Sequence, residues 1–519
     1  MVRPVDAVTD RIALPSVGDA VAGISVAIVL VPQALAYAQL AGMPAYRGLY
    51  AAALPPIAAA LFASSPYLQT GPVALTSLLT FGALSSLASI GSPRYVGLGA
   101  LLALVVGAAR LLVGVFRAGV VAYLISQPML LGFMPAAAIV IVATQLPTLL
   151  GAGHAGGRHI LADAWNALVH PQLWSAETIA LGVIAIAFVV GGRRVHRLFP
   201  SVLLLVVGAT AFSRVSSYHG RAVGKIPGGI EDATFHLPWS ELPHLLLPGA
   251  VIALVGFVEP SSIARTFAAQ ERTRWDANRE FVGQGVGNLT SFLVGGFPIG
   301  GSFSRSALNR LAGATTTWSG LIAALAVVAF LPFASVLRGL PNAVLAGIVI
   351  ASVIGQLRLF PLLRLGRLSR PQLVVALTTF ALTIALAPHV EWGIVAGIGL
   401  AVALHLYREL QLEIVSEVHG STLELTQQGV LWFGTAPRLE EEFLSALSQH
   451  HGIDRLVVHL DSLGRVDLTG ALALRGLLAR AREAGIETQI VDVRPRWHGL
   501  VENVIARDRD PLLPERRLP

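Results

Sequence analysis

The chain has 519 residues, a mean hydropathy of +0.68, 13% charged residues and no cysteine. A soluble domain carries roughly 25% charged residues, so this composition excludes a wholly soluble protein. The missing cysteine excludes disulfides, thiolate metal sites and cysteine nucleophiles. The net charge of +7 does not point to nucleic acid, because the arginines lie mainly at the ends of apolar segments, where membrane topology accounts for them.

The opening MVRPVDAVTDRIALP is polar and reads as a cytoplasmic N-terminal segment, 1–15, and not as a secretory signal, since a full-length span begins at Val17. Apolar runs then recur to about Arg408, each of about 17–25 residues and long enough for ~30 Å of hydrocarbon. Fourteen candidate spans begin near Gly18, Arg47, Gly71, Val96, Val120, Trp174, Phe199, Leu246, Arg279, Gly301, Trp318, Pro341, Pro371 and Trp392, and the third and tenth are too short to cross alone. The even-numbered connections collect Arg117, then Arg193, Arg194 and Arg197, then Arg272 and Arg274, then Arg358, Arg364, Arg367 and Arg370. Positive residues favour the cytoplasmic side. Both termini are therefore expected inside, with an α-helical transmembrane transporter domain over 16–408 and external loops at 151–173 and 215–245.

After Arg408 the pattern changes. STLELTQQGVLWFGTA alternates as a strand does, RLEEEFLSALSQH is helical, and IDRLVVHLDSL, LTGALALRGLLARAREAGI and ETQIVDVRP read as strand, helix and strand. Strands alternating with helices predict a small cytoplasmic α/β domain over 409–519, ending in a loose tail, RDRDPLLPERRLP.

A repeat is hidden in the spacing. Pro32 in VLVPQALAYA and Pro260 in GFVEPSSIAR stand 228 residues apart, and the same offset carries Gly71–Pro72 of QTGPVALTSL to the head of GGSFSRSALN. Seven spans lie in each half, and an odd number inverts the second copy. Inverted repeats with interrupted segments at matching positions point to a transporter binding site. A helix that starts in mid-membrane presents unpaired N–H groups and roughly half a positive charge. Gly71 and Gly301 are expected to mark two such starts, which with Arg305 make an anion site. Gln33, Tyr37, Ser302 and Ser304 are candidate neutral donors. Glu259 is the other conspicuous charge: desolvation favours its protonation and a nearby arginine favours its ionisation. That balance suits proton–anion symport, or equally a permanent ion pair with Arg305 or Arg265. The histidines show no metal-ligand spacing, and no P-loop or nucleophile–base order is present, so neither an enzyme nor a cofactor is expected.

VPQALAYAQLAG followed by TGPVALTS, then VGNLTSFLVGGFPIGGSFSRSALN and LPNAVLAGIVI, resemble the sulfate permease (SulP) family of anion transporters, and DSLGRVDLTGALAL resembles the STAS domain such transporters carry. The resemblance covers about 16–505. It implies fourteen spans as 7+7 inverted repeats, with a core domain (spans 1–4 and 8–11) and a gate domain (spans 5–7 and 12–14). It also implies a homodimer and elevator-like alternating access. Carried over by motif, the substrate contacts are Gln33 and Tyr37, then Pro72, Val73 and Ala74, then Phe303, Ser304 and Arg305, with Glu259 as the proton-coupling group. Ile263 and Phe303 stand where sodium-coupled relatives are expected to carry hydroxyls, which favours protons. Thr469 stands where anti-sigma antagonists carry a phosphorylated hydroxyl, although a helix cap explains that loop as well. The expected function is secondary active transport of a small anion (sulfate, bicarbonate or a dicarboxylate) in the inner (plasma) membrane, in contact with lipid. An uncoupled exchanger or channel on the same fold is the alternative.

Overall fold

The computed structural model describes residues 14–504, apart from 124–125, 154–159, 197, 217, 231–236, 410–412, 433, 451, 494 and 496–502. Residues 1–13 of the expected N-terminal segment, Arg197 and the tail Arg507–Pro519 lie outside the described residues. The chain forms two compact units, Met1–Gly399 and Leu400–Pro519.

The first unit is helical. In chain order it holds α1 (Val17–Leu40), α2 (Ala45–Phe62), the two-residue strand β1 (Thr70–Gly71), α3 (Ala74–Leu84), α4 (Pro93–Val115), α5 (Gln127–Leu150), α6 (Ile160–Val169), α7 (Ala176–Val195) and α8 (Ser201–Val215). The second half repeats the plan with α9 (Leu242–Glu271), α10 (Ala277–Leu293), the strand β2 (Gly300–Gly301), α11 (Phe303–Leu311), α12 (Trp318–Phe330), α13 (Asn342–Val353), α14 (Phe360–Leu368), α15 (Arg370–Ala385) and the first half of α16 (Val390–Glu409), whose later residues belong to the second unit. A helix stands at each of the fourteen expected span positions. Seven of the described helical segments are long and apolar enough to cross a membrane by themselves. The short helices α6 and α14 were not expected. Each has 9 or 10 residues with one apolar face, too few to register as a span.

Local chemistry sets the ends. Ser16 and Asp19 form a capping box at the start of α1. Asp19 is fully buried and also accepts the N–H groups of Thr315 and Thr316 at 2.8 and 2.9 Å, which ties the approach to α12 onto α1. Pro32 inside α1 and Pro260 inside α9 each remove a helix N–H at matching places in the two halves.

Packing divides the unit. Helices α1–α4 associate with α9–α12, while α5 packs with α13 and α15, and α7 with α8 and α13. The α4–α10 crossing is the tightest kind: a Cβ at Gly107 would lie 2.8 Å from Leu289 N, and one at Gly285 2.8 Å from Leu111 N. Backbones meet there because both positions lack side chains.

The second unit contains β3 (Glu413–His419), β4 (Thr422–Leu431), α17 (Ala436–Gln449), β5 (Arg455–His459), β6 (Leu463–Val466), α18 (Leu468–Glu483) and β7 (Glu487–Val491). The sheet runs β3-β4-β5-β7, with β6 alongside β4; only the β3–β4 pairing is antiparallel. Its core includes Leu425, Leu456, Phe443 and Leu474. β3 and β6 were not expected; β6 continues the apolar stretch of β5 after a break at Asp461. Asp467 caps α18, accepting the Gly470 N–H at 2.7 Å, and Thr469 lies exposed in the first turn.

Candidate anion site

The site is built around the strand pair. Thr70 pairs with Gly301 and Gly71 with Gly300, antiparallel. The ladder continues where Ser302 N–H donates to Gln69 O at 3.0 Å. Because α3 follows β1 and α11 follows β2, antiparallel pairing brings the two helix N-termini to one place, running apart in opposite senses. The half-helices begin at Ala74 and Phe303, two or three residues later than the expected starts at Gly71 and Gly301. Those glycines sit in the strands instead. Pro72 holds the residue before it out of the helical region, and Gly71 has φ +152°, which side chains rarely tolerate.

Arg305 lies in the first turn of α11 and is fully buried. Its Nη1 donates to Gln33 Oε1 at 3.2 Å. Nε and Nη2 are buried with no hydrogen-bond partner. A Cβ on Gly71 would lie 3.4 Å from Nη2, so the guanidinium rests against the bare backbone of β1. Gln33 and Tyr37 are one turn apart on α1, both buried, and Tyr37 is an electrostatic neighbour of Arg305. Val73 caps α3 with backbone alone; no side chain covers the first-turn N–H groups. Pro72 and Val73 are buried and Ala74 partly so. On the other helix, Ser302 Oγ accepts the Arg305 N–H at 3.4 Å and lies 3.3 Å from Ser304 Oγ. Phe303 and Ser304 are exposed.

Glu259 closes the remaining side. Its Oε1 accepts the Phe303 N–H at 3.1 Å, so the carboxylate caps α11 from α9. Among the described residues no ion pair within 4.0 Å joins Glu259 to Arg305. A side-chain scaffold from α10 holds the strands: Gln284 Nε2 donates to Thr70 Oγ1 at 2.7 Å, and Asn288 both donates to Ile299 O and accepts its N–H. The nine residues singled out in the sequence thus lie on α1, α9 and the two half-helix starts. Chemically, two unpartnered guanidinium nitrogens beside an uncapped helix start are donors that an anion could complete.

The buried polar groups that escaped sequence reasoning include two in the helices beside the strand pair. Arg110 lies inside α4 without exposed surface, in a stretch, AARLLVGV, where an arginine reads as the approach to the end of a span. Ser77 in α3 has a buried, unpartnered Oγ, and nothing in LTSLL marks it out. Among the described residues no cluster of three metal-ligating side chains occurs.

Residues 17–379 match the sulfate permease family. The chain belongs to that family. Residues 413–512 match the STAS domain. A probable sulfate transporter of Mycobacterium tuberculosis is 31% identical over 501 residues, covering 90% of this chain and 88% of that one. The chloroplastic sulfate transporter 4.1 of Arabidopsis thaliana is 32% identical over 419 residues, 78% of this chain and 61% of that one. The fold is that of the murine Solute Carrier 26 family member A9 anion transporter in its inward-facing state, with TM-score 0.85 at 20% identity over 95% of this chain and 88% of that one. The transmembrane domain of the cyanobacterial bicarbonate transporter BicA aligns with TM-score 0.64 at 23% identity, covering 74% of this chain and 97% of that one. The sulfate permease family consists of membrane transporters, so this multi-pass chain is an anion transporter and not an enzyme.

Proposed function

We propose that the protein is a secondary active transporter that carries a small oxyanion, of the class to which sulfate belongs, together with a proton. The observation that carries this reading is Arg305: fully buried, with Nε and Nη2 unpartnered, beside an α3 start that no side chain caps. A buried cation with empty donors is costly unless a ligand completes it. The names of the relatives, sulfate transporters over most of the chain, support the substrate class. Glu259 is the proton carrier in this reading. Its carboxylate caps the same helix turn that presents Arg305, so protonation and anion binding act on one element. The packing division supports elevator-type movement of the α1–α4 and α9–α12 core against the remaining helices. A homodimer in the inner (plasma) membrane, surrounded by lipid and with cytoplasmic termini, completes the proposal; the arginine distribution supports the orientation.

Uptake of labelled sulfate, bicarbonate and dicarboxylates into proteoliposomes tests this, with and without an inward proton gradient. Gradient-driven uptake of one class is expected, abolished in Arg305→Ala and unresponsive to the gradient in Glu259→Gln. Uptake indifferent to both would instead support an uncoupled exchanger or channel. That second reading has one observation in its favour: the Glu259–Phe303 bond is also what a purely structural cap would make.

A further inference from the structure

A second guanidinium lies under the strand pair. Arg110 Nε donates to Ala253 O at 3.1 Å, Nη2 to Ile252 O at 3.2 Å and Nη1 to Ile299 O at 2.8 Å. Ile299 precedes β2, so the last bond grips the backbone that leads into α11. A Cβ at Gly256 would lie 2.6 Å from Arg110 Nη2 and 3.0 Å from Cγ2 of Thr76, in the first turn of α3. Arg110 therefore borders the approaches to both half-helices. All three of these partners are neutral carbonyls, and among the described residues no carboxylate pairs with it. A guanidinium stays protonated in proteins, so the carbonyls solvate this charge without cancelling it.

We propose that Arg110 is a permanent second cation of the anion site, a positioning residue that makes the transporter prefer divalent to monovalent anions. The inference rests on the proton-coupled reading above. The charged and titratable groups around the site include Arg110 on α4, Arg305 on α11, Glu259 and Arg265 on α9, Tyr37 on α1 and, behind Gln284, the buried Glu280 on α10, whose Oε2 accepts the N–H groups of Ser64 and Ser65 at 3.0 and 3.1 Å. Of these, Arg110 holds the carbonyl of Ile299 before β2, Glu259 caps α11 and Arg305 lies in the first turn of α11. With Glu259 ionised, these three leave one net positive charge. A proton on Glu259 leaves two. A dianion bound with one proton makes the loaded site neutral, whereas a monoanion carried with the same proton leaves one positive charge uncancelled at membrane depth, where charge is expensive. The empty core then returns with one positive charge, and the whole cycle moves one negative charge inward per dianion.

The test is competition against labelled sulfate uptake in proteoliposomes of the full-length protein. Selenate serves as the divalent probe, and nitrate and chloride as the monovalent ones. Wild type is expected to favour selenate. In Arg110→Gln, which removes the charge and keeps a donor for a carbonyl, the divalent-to-monovalent selectivity ratio should fall on the order of tenfold, the order of effect of removing one nearby unit charge in partly screened protein. Arg110→Lys should keep most of the ratio. A purely structural role would weaken both classes alike, and an unchanged ratio in Arg110→Gln overturns the proposal. Should Arg110→Gln fail to fold, Arg110→Lys decides: with the charge retained the divalent-to-monovalent ratio must stay near that of wild type, and a ratio that collapses in Arg110→Lys overturns the proposal. The two readings fail separately. Wild-type uptake that ignores the proton gradient while Arg110→Gln still shifts the ratio removes the coupling and leaves the selectivity role. Gradient-driven uptake with a fixed ratio does the reverse.

Discussion

Arg305 is held by one side chain. Gln33 Oε1 takes Nη1, which fixes the plane of the guanidinium and leaves Nε and Nη2 free. Gln33→Leu keeps the volume and removes that acceptor. Hydrogen bonds to charged groups are worth about 1.5–3 kcal/mol, so KM for the transported anion should rise about tenfold or more. The maximal rate should change less, and initial-rate uptake over a concentration series reads both. Arg305→Lys should not restore affinity lost in Arg305→Ala, because a point charge cannot present two donors in a plane. At this scale the sequence was legible where a residue broke its surroundings: an arginine among glycines and serines, a glutamate before a proline. Arg110 broke nothing. Its carbonyl partners lie more than 140 positions away, and backbone acceptors carry no side-chain signature.

The half-helices show what pattern can and cannot foretell at the scale of elements. Their shortness and their matched offset were visible, as was the proline in each of the helices α1 and α9. The strand pair in front of them was not, because two-residue strands have no periodicity and need a partner 230 positions away. Gly71 is the sensitive point of that pair. Gly71→Ala would place a Cβ against Arg305 Nη2 and force a φ of +152° on a side chain. Such strain costs about 1–3 kcal/mol. The variant should assemble in the membrane yet bind the anion several-fold more weakly, read by ligand-induced thermal stabilisation. A different element end carries a pH effect. In the turn between α15 and α16, His389 Nδ1 is bonded at 3.1 Å to the carboxylate of Glu391 in the first turn of α16, which holds the imidazole above its ordinary value of 6.5. The folded state then binds this proton more tightly than the unfolded one. The stabilisation is complete below pH 6.5 and is lost as pH rises through the folded value. His389→Gln should therefore remove part of the fall in Tm between pH 6 and pH 8 that wild type shows.

For the molecule as a whole, inversion of one half relative to the other decides where the site opens. The exposed face of α9 beyond Pro260 carries Ser262 and Thr266, polar residues that suit water better than lipid, and exposed Gln270 lies near its end. It continues from Glu259 and the exposed Phe303 and Ser304 toward Arg272, on the side that the arginine clusters assign to the cytoplasm. The other end of α3 is shut: a Cβ at Gly82 would lie 2.4 Å from Pro388 O and 3.1 Å from Glu391 Oε2. We therefore expect water to reach the Arg305 turn from the α9 side. The natural chain has no cysteine, so Ser304→Cys supplies a single thiol without further engineering. A membrane-impermeant maleimide should label it in inside-out vesicles and leave it untouched in right-side-out ones, and saturating transported anion should slow the labelling. Labelling from the outer face alone would reverse the orientation drawn from the arginines. Equal labelling from both faces would mean that the site samples both openings without a gradient, and that the closed contact at Gly82 is not the resting one.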